Sequence, residues 1–158
     1  MIQDFFSWMQ ATALARTISE TYFPMVECAH VIFLTVVAGT IFIVDLRLVG
    51  LASRNMRFTQ LSEQILPWTW RAFVLAAITG SLLLAANAEG YYLNTPLRIK
   101  AVLLVLAGLN MAWFQFVTFR SVSQWDAGRP SGTARFSGWA SLILWTGVIA
   151  CGRWAGFV

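Results

Sequence analysis

The run Phe23-Pro24-Met25-Val26-Glu27-Cys28-Ala29-His30-Val31-Ile32-Phe33-Leu34-Thr35-Val36-Val37-Ala38-Gly39-Thr40-Ile41-Phe42-Ile43-Val44 decides the fold of this chain. It carries one glutamate and one histidine among apolar and small residues, and with residues 45–49 it reads as one unbroken segment over 23–49. About 20 mostly apolar residues cross the hydrocarbon core of a bilayer. In that medium only helices and closed barrels satisfy their own backbone groups. The segment therefore predicts a transmembrane helix, and Pro24 suits its first turn, where an amide would have no partner.

Working outward, three further apolar segments qualify as spans, at 67–88, 97–119 and 136–157. Pro67 is expected to open the second, with Trp68 and Trp70 at the boundary and Gly80 and Ser81 allowing close helix approach inside it. Thr95-Pro96 reads as cap and first helical residue of the third. The stretch 123–132, rich in turn formers, reads as the loop before the fourth. Of 158 residues, 58% are hydrophobic and 11% charged, far from the balance of a soluble domain. The prediction is an all-α protein: a four-transmembrane-helix bundle forming a single integral membrane domain over 1–158. Residues 1–19 lack the pattern of a secretory signal. With Ile2, Phe5, Phe6, Met9 and Ala13 on one face, they read as a short interfacial amphipathic helix.

The formal net charge of +4 comes from cations at helix ends and in short loops. No basic run with interleaved aromatics lies outside the spans, which argues against a nucleic-acid partner and for membrane lipid. Arg47, Arg54, Arg57, Arg71, Arg120, Arg129 and Arg135 fall on one side, and Arg16, Arg98, Lys100 and Arg153 on the other. The positive-inside rule then places both termini outside, in the periplasm of a bacterial inner membrane. Two aromatic belts are expected: Trp8, Tyr22, Tyr91, Tyr92 and Trp154 at one face, Trp68, Trp70, Trp125 and Trp139 at the other.

Chemistry concentrates at the side that holds the termini. His30 is the chain's only histidine, and ionisable groups inside a span are functional suspects. Glu27 is three residues away on the same helix face, with Cys28 between them, and Glu89, Tyr91, Tyr92, Arg98, Lys100, Cys151 and Arg153 fall at the same level. Three chemistries fit. His30 is a candidate metal ligand, most simply an axial ligand of haem b, with Glu27 tuning it and Arg98, Lys100 and Arg153 meeting acidic groups of the cofactor or of lipid. A second iron ligand would then be Met25, Met111 or a group from a partner. A self-contained di-iron site would need a second Glu-x-x-His motif, which the chain lacks. Glu27 and His30 also suit a proton or small-solute path. Against all of these stands a plain structural role, with the pair hydrogen-bonded to each other or to a neighbouring helix.

Asp45 is expected to anchor on Arg71 or another basic group of its side, and Asn110 and Gln115 to bond between helices. Cys28 and Cys151 are close enough in level for a disulfide, although packing is the commoner role of such cysteines. Neither a phosphate-binding glycine loop, a nucleophile elbow nor a paired-cysteine zinc signature is present. The chain therefore reads as no enzyme on its own. It reads as an electron-transfer subunit, a homo-oligomer or part of a larger membrane oxidoreductase complex; the alternative is a cofactor-free accessory subunit.

Several blocks carry a family resemblance: 22–31, with its Pro-x-x-Glu-x-x-His core, Asp45-Leu46-Arg47-Leu48 with Gly50, Leu66-Pro67-Trp68-Thr69-Trp70, Leu97-Arg98-Ile99-Lys100, Ala107-Gly108-Leu109-Asn110, Trp125-Asp126 and Gly152-Arg153-Trp154. In these the chain resembles a bacterial family of small four-span proteins of unknown function. The resemblance covers nearly the whole chain and implies a four-helix inner-membrane protein, without assigning an activity.

Overall fold

The computed structural model describes residues 2–53 and 55–157, with the side chains of Ile2, Gln3, Glu89 and Tyr92 outside the described set. Its helices are α1 (Ile2–Gln10), α2 (Ala13–Thr17), α3 (Phe23–Val49), α4 (Phe58–Ala86), α5 (Ala88–Leu93), α6 (Thr95–Trp113), α7 (Val122–Trp125) and α8 (Gly132–Trp154). Four helical stretches are long and apolar enough to span a membrane: those holding α3, α4, α6 and α8. Their outward faces leave Met25, Ile32, Leu109, Phe116 and Ile143 more than 60% exposed. Water would penalise such a surface, whereas lipid is its natural solvent.

The first span has the bounds expected for it. Upstream, however, α2 and a wide π turn, Ile18–Tyr22, run straight into α3, so the predicted surface helix over 1–19 is two pieces. The break falls at Thr12, whose hydroxyl accepts from the Ala15 amide (3.3 Å) and donates to the Met9 carbonyl (2.8 Å). That hydroxyl caps the second piece, leaving α1 to pack on α5 and α4.

Pro67 does not open the second span. It lies inside α4, which begins nine residues earlier at Phe58. Proline costs the helix one backbone hydrogen bond, but the first turns of α4 are held from outside. Phe58 and Leu61 are buried, and the amides of Phe58 and Thr59 bond to Asp126 across the bundle. At the third span the cap is Asn94 rather than Thr95, its side chain accepting from the Leu97 amide at 3.0 Å. That span then continues through a π turn, Phe114–Thr118, and a 3-10 turn, Phe119–Ser121, into α7. The loop expected at 123–132 is correspondingly shorter.

Helix α3 packs on α4 and on α8, and α8 packs on α6. One core cluster joins all four spans through Val37, Ala72, Ala107, Trp145 and Val148. A second gathers Val44, Leu48, Phe58, Phe114, Trp125 and Ala134, with Phe58 at 5.3 Å from Trp125 and 5.7 Å from Phe114, centroid to centroid. Trp125 is therefore core, 5% exposed, and not part of an aromatic belt; Trp68, Trp70 and Trp139 are exposed as a belt requires. The α3–α8 crossing is close because Gly138 has no side chain. A Cβ there would stand 2.9 Å from Leu48 Cβ and 3.2 Å from the Asp45 carbonyl oxygen. Asp45 is buried in this crossing and bonds to Ser141, while its Oδ2 has no partner. The expected pairing with Arg71 does not form: Arg71 lies over the Trp68 ring at 5.3 Å.

Candidate functional site

The two ends of the bundle differ in how their polar groups are used. At the end that holds the termini, His30 lies about 10 Å along α3 from Phe23 at 1.5 Å per residue. Its Nδ1 is 3.0 Å from the Thr79 hydroxyl on α4. A threonine hydroxyl has a single hydrogen, and that of Thr79 goes to the backbone, at 2.8 Å from the Leu75 carbonyl and 3.2 Å from that of Ala76. With its hydrogen so used, Oγ1 is an acceptor for Nδ1–H, which corresponds to the tautomer with Nε2 unprotonated, and the Ala76 backbone is a further partner of the ring. Gly80 makes the approach feasible, because a Cβ there would stand 2.9 Å from His30 Cε1.

Around this ring the structure brings together part of the predicted set. Lys100 is close enough for its charge to act on His30. Its Nζ lies 3.3 Å from where a Cβ on Gly152 would stand, and Cys151 acts on it in turn. Glu27 is exposed, and its electrostatic neighbour is Tyr91 at the end of α5. Burial first, and the Glu27 charge second, push the Tyr91 phenol above its ordinary value. Arg98 is exposed, and Arg153 lies over the Phe157 ring at 4.7 Å. Glu89 and Tyr92, also expected at this level, have side chains outside the described residues. Cys28 and Cys151 are both free thiols. Thr79, the residue that orients the histidine, went unnoticed in the sequence because a hydroxyl inside a span usually bonds only to its own helix.

At the opposite end a fixed polar knot forms. Arg47, 1% exposed, donates from Nε to the Met56 carbonyl (3.0 Å) and from Nη2 to the carbonyls of Asp126 (3.0 Å) and Gly128 (3.4 Å). Asp126 in turn caps α4: its carbonyl accepts from the Phe58 amide, and its carboxylate from the Thr59 amide (2.8 Å) and hydroxyl (2.9 Å). Burial alone would raise the Asp126 carboxyl. The Thr59 bonds and the charges of Arg57 and Arg47 outweigh it and hold the group below the usual carboxylate range. In mid-bundle, Asn110 fulfils its expected role, donating to the Ser137 carbonyl and accepting from its hydroxyl, both at 3.1 Å. Gln115 is exposed.

Among the described residues no three histidine, cysteine or acidic side chains gather as a metal site would need. For haem, the chain supplies one ligand and not two. Met111 lies roughly 24 Å along α6 from Thr95, against about 10 Å for His30 along α3, on helices entering from the same end. Met25 is 69% exposed and about 140° around α3 from His30 at 3.6 residues per turn. Neither methionine is therefore placed beside His30 to share one iron with it.

Four long apolar helices with lipid-compatible faces define a small multi-pass membrane protein. A model of a family of unknown function (DUF6644) matches residues 5–158, and the chain belongs to that family. No curated protein and no solved structure matches it.

Proposed function

We propose that this protein is a small membrane subunit that offers His30 Nε2 as a single axial ligand to haem b. A second copy of the chain or a larger membrane oxidoreductase complex completes the site. The termini then face the periplasm of a bacterial inner membrane. Supporting this reading is the Nδ1–H bond to Thr79, which orients the ring and leaves Nε2 as the bare nitrogen; metal-binding histidines are commonly held in this way through their other nitrogen. Lys100 is the cation placed to meet an acidic group of the cofactor, with Arg98 and Arg153 at the surface and Glu27 one turn outward. Haem would supply one-electron transfer. The chain's own part is to hold a neutral imidazole in one orientation.

The same bond also suits two alternatives. A histidine satisfied by Thr79 already ties α3 to α4, as a cofactor-free accessory subunit or a proton path through Glu27 and His30 would require. The visible spectrum of the protein purified in mild detergent, oxidised and then reduced with dithionite, separates these readings. A Soret band with sharp reduced α and β bands, lost in His30→Ala, is the expected result. A colourless preparation from haem-replete cells, with its partner retained, would sink the haem reading. Flux lost in Glu27→Gln with assembly intact would establish the path.

A further inference from the structure

The end opposite His30 carries most of the excess of positive charge. By sequence, six cations fall in its connections and adjoining helix ends against three carboxylates, Asp45, Glu63 and Asp126, with Arg71 further inside α4, whereas four cations and four carboxylates share the other end. At this end a cavity of about 350 Å³ opens between the end of α3, the 126–131 connection and the first turn of α8. Arg47, Arg129 and Arg135 line it together with Gly50, Gly128 and Pro130.

None of its lining residues is acidic. The Asp126 carboxylate lies outside the lining with both oxygens bonded to Thr59, and its single charge offsets only part of the charge of Arg47 and Arg57. Arg47 is different in kind from a surface arginine. It is buried, and its Nε and Nη2 are locked onto three carbonyls, which fix the guanidinium at the cavity wall. A fixed guanidinium is pre-organised for an oxyanion, since little freedom remains to be lost on binding. Arg129 and Arg135 are exposed and free to close on a ligand from the rim.

We infer that this cavity binds a phosphate group, with Arg47 as the fixed donor and Arg129 and Arg135 as mobile clamps. Two sources share that chemistry: the headgroup of an anionic phospholipid, and a soluble phosphate. The site is independent of the His30 reading, being at the other end of the bundle and built from different residues.

The test uses the full chain, delipidated in detergent, with bound lipid counted by native mass spectrometry after titration with phosphatidylglycerol or phosphatidylcholine. A parallel arm measures thermal stabilisation by inorganic phosphate. Phosphatidylglycerol retained over phosphatidylcholine, and weakened about fivefold by each of Arg129→Gln and Arg135→Gln, is the expected lipid result, from roughly 1 kcal/mol per basic residue at an anionic surface. Stabilisation by inorganic phosphate that the same variants remove would assign the site to a soluble phosphate. Arg71→Gln is the control, an exposed arginine of α4 outside the cavity. Equal weakening by Arg71→Gln would reduce the effect to general surface charge and overturn the proposal, as would indifference to both ligands. Both clamp residues are exposed, so their variants are expected to fold as the parent does; a circular dichroism melt checks this.

Discussion

The Arg47 end and the His30 end of this bundle are built from the same kinds of residue and put to opposite use. At the Arg47 end, one guanidinium and one aspartate fasten two connections and the start of α4, and their bonds close on backbone groups. At the His30 end the Thr79 hydroxyl and the Ala76 backbone, both on α4, orient one ring. A polar group whose bonds are nearly all committed stabilises. One held from a single helix retains capacity for a ligand or a proton.

The contrast is open to attack at four points. Arg47→Gln is expected to have the largest effect, about 3 kcal/mol or more, because a buried guanidinium's charge-assisted bonds to three backbone carbonyls are lost. Thermal unfolding in detergent measures it, and Arg47→Lys is not expected to rescue, since an ammonium lacks the planar fork. Wild-type stability in Arg47→Gln would mean that this end is not the fastened one. Asp126→Asn is expected to lose about 1 kcal/mol, the usual scale of a weakened helix cap. Its signature is in pH. A carboxyl held below its usual range stabilises the fold fully above the unfolded-state value of about 4, and that share fades as pH falls through the lower folded value. Unfolding midpoints taken from pH 6 downward should therefore drop less steeply in Asp126→Asn than in the wild type.

At the other end the effects on stability shrink and those on the ring grow. Gly80→Ala puts a methyl 2.9 Å from His30 Cε1, so the imidazole must move. Overpacking costs about 1–3 kcal/mol, and the better helix propensity of alanine offsets about 1, leaving a net loss near 1 kcal/mol. If haem binds, its spectrum should shift or vanish in this variant. Thr79→Val, the smallest change, removes one hydrogen bond worth about 1 kcal/mol or less. Nitrogen NMR of the imidazole should then report mixed tautomers in place of the Nδ1–H form. Unchanged nitrogen shifts would show that Thr79 does not hold the ring, and the assignment of a free Nε2 would fall with it.

What the residues alone determined is the number and identity of the spans. Apolar length is a local property, and in lipid it leaves a helix as the one way for such a segment to satisfy its backbone. Hence 23–49 was legible to the residue, and so was the crowding of His30, Lys100 and Cys151 at one level, which follows from helix rise and an even number of crossings. Boundaries and partners were not legible, because they depend on groups far apart in sequence. Pro67 looks like a helix start until Asp126, distant in sequence, is seen to cap Phe58 and Thr59 across the bundle.

 The distance along the chain explains why: Thr59 and Asp126 stand 67 residues apart, so no local pattern announces the cap.

Asp45 could be placed near arginines by level alone, yet the bare backbone at Gly138 brings α8 against α3 and gives it Ser141 instead. Thr79 belongs to the same class. Its hydroxyl reads as an ordinary helix back-bond until α4 packs on α3 and the ring of His30 arrives beside it. Sequence carries what each segment must do with its own backbone and solvent, and here that settled the four crossings and the level of each ionisable group. The packing of one helix on another decided which of those groups meet, because close approach depends on side-chain shape at crossings that no single segment contains.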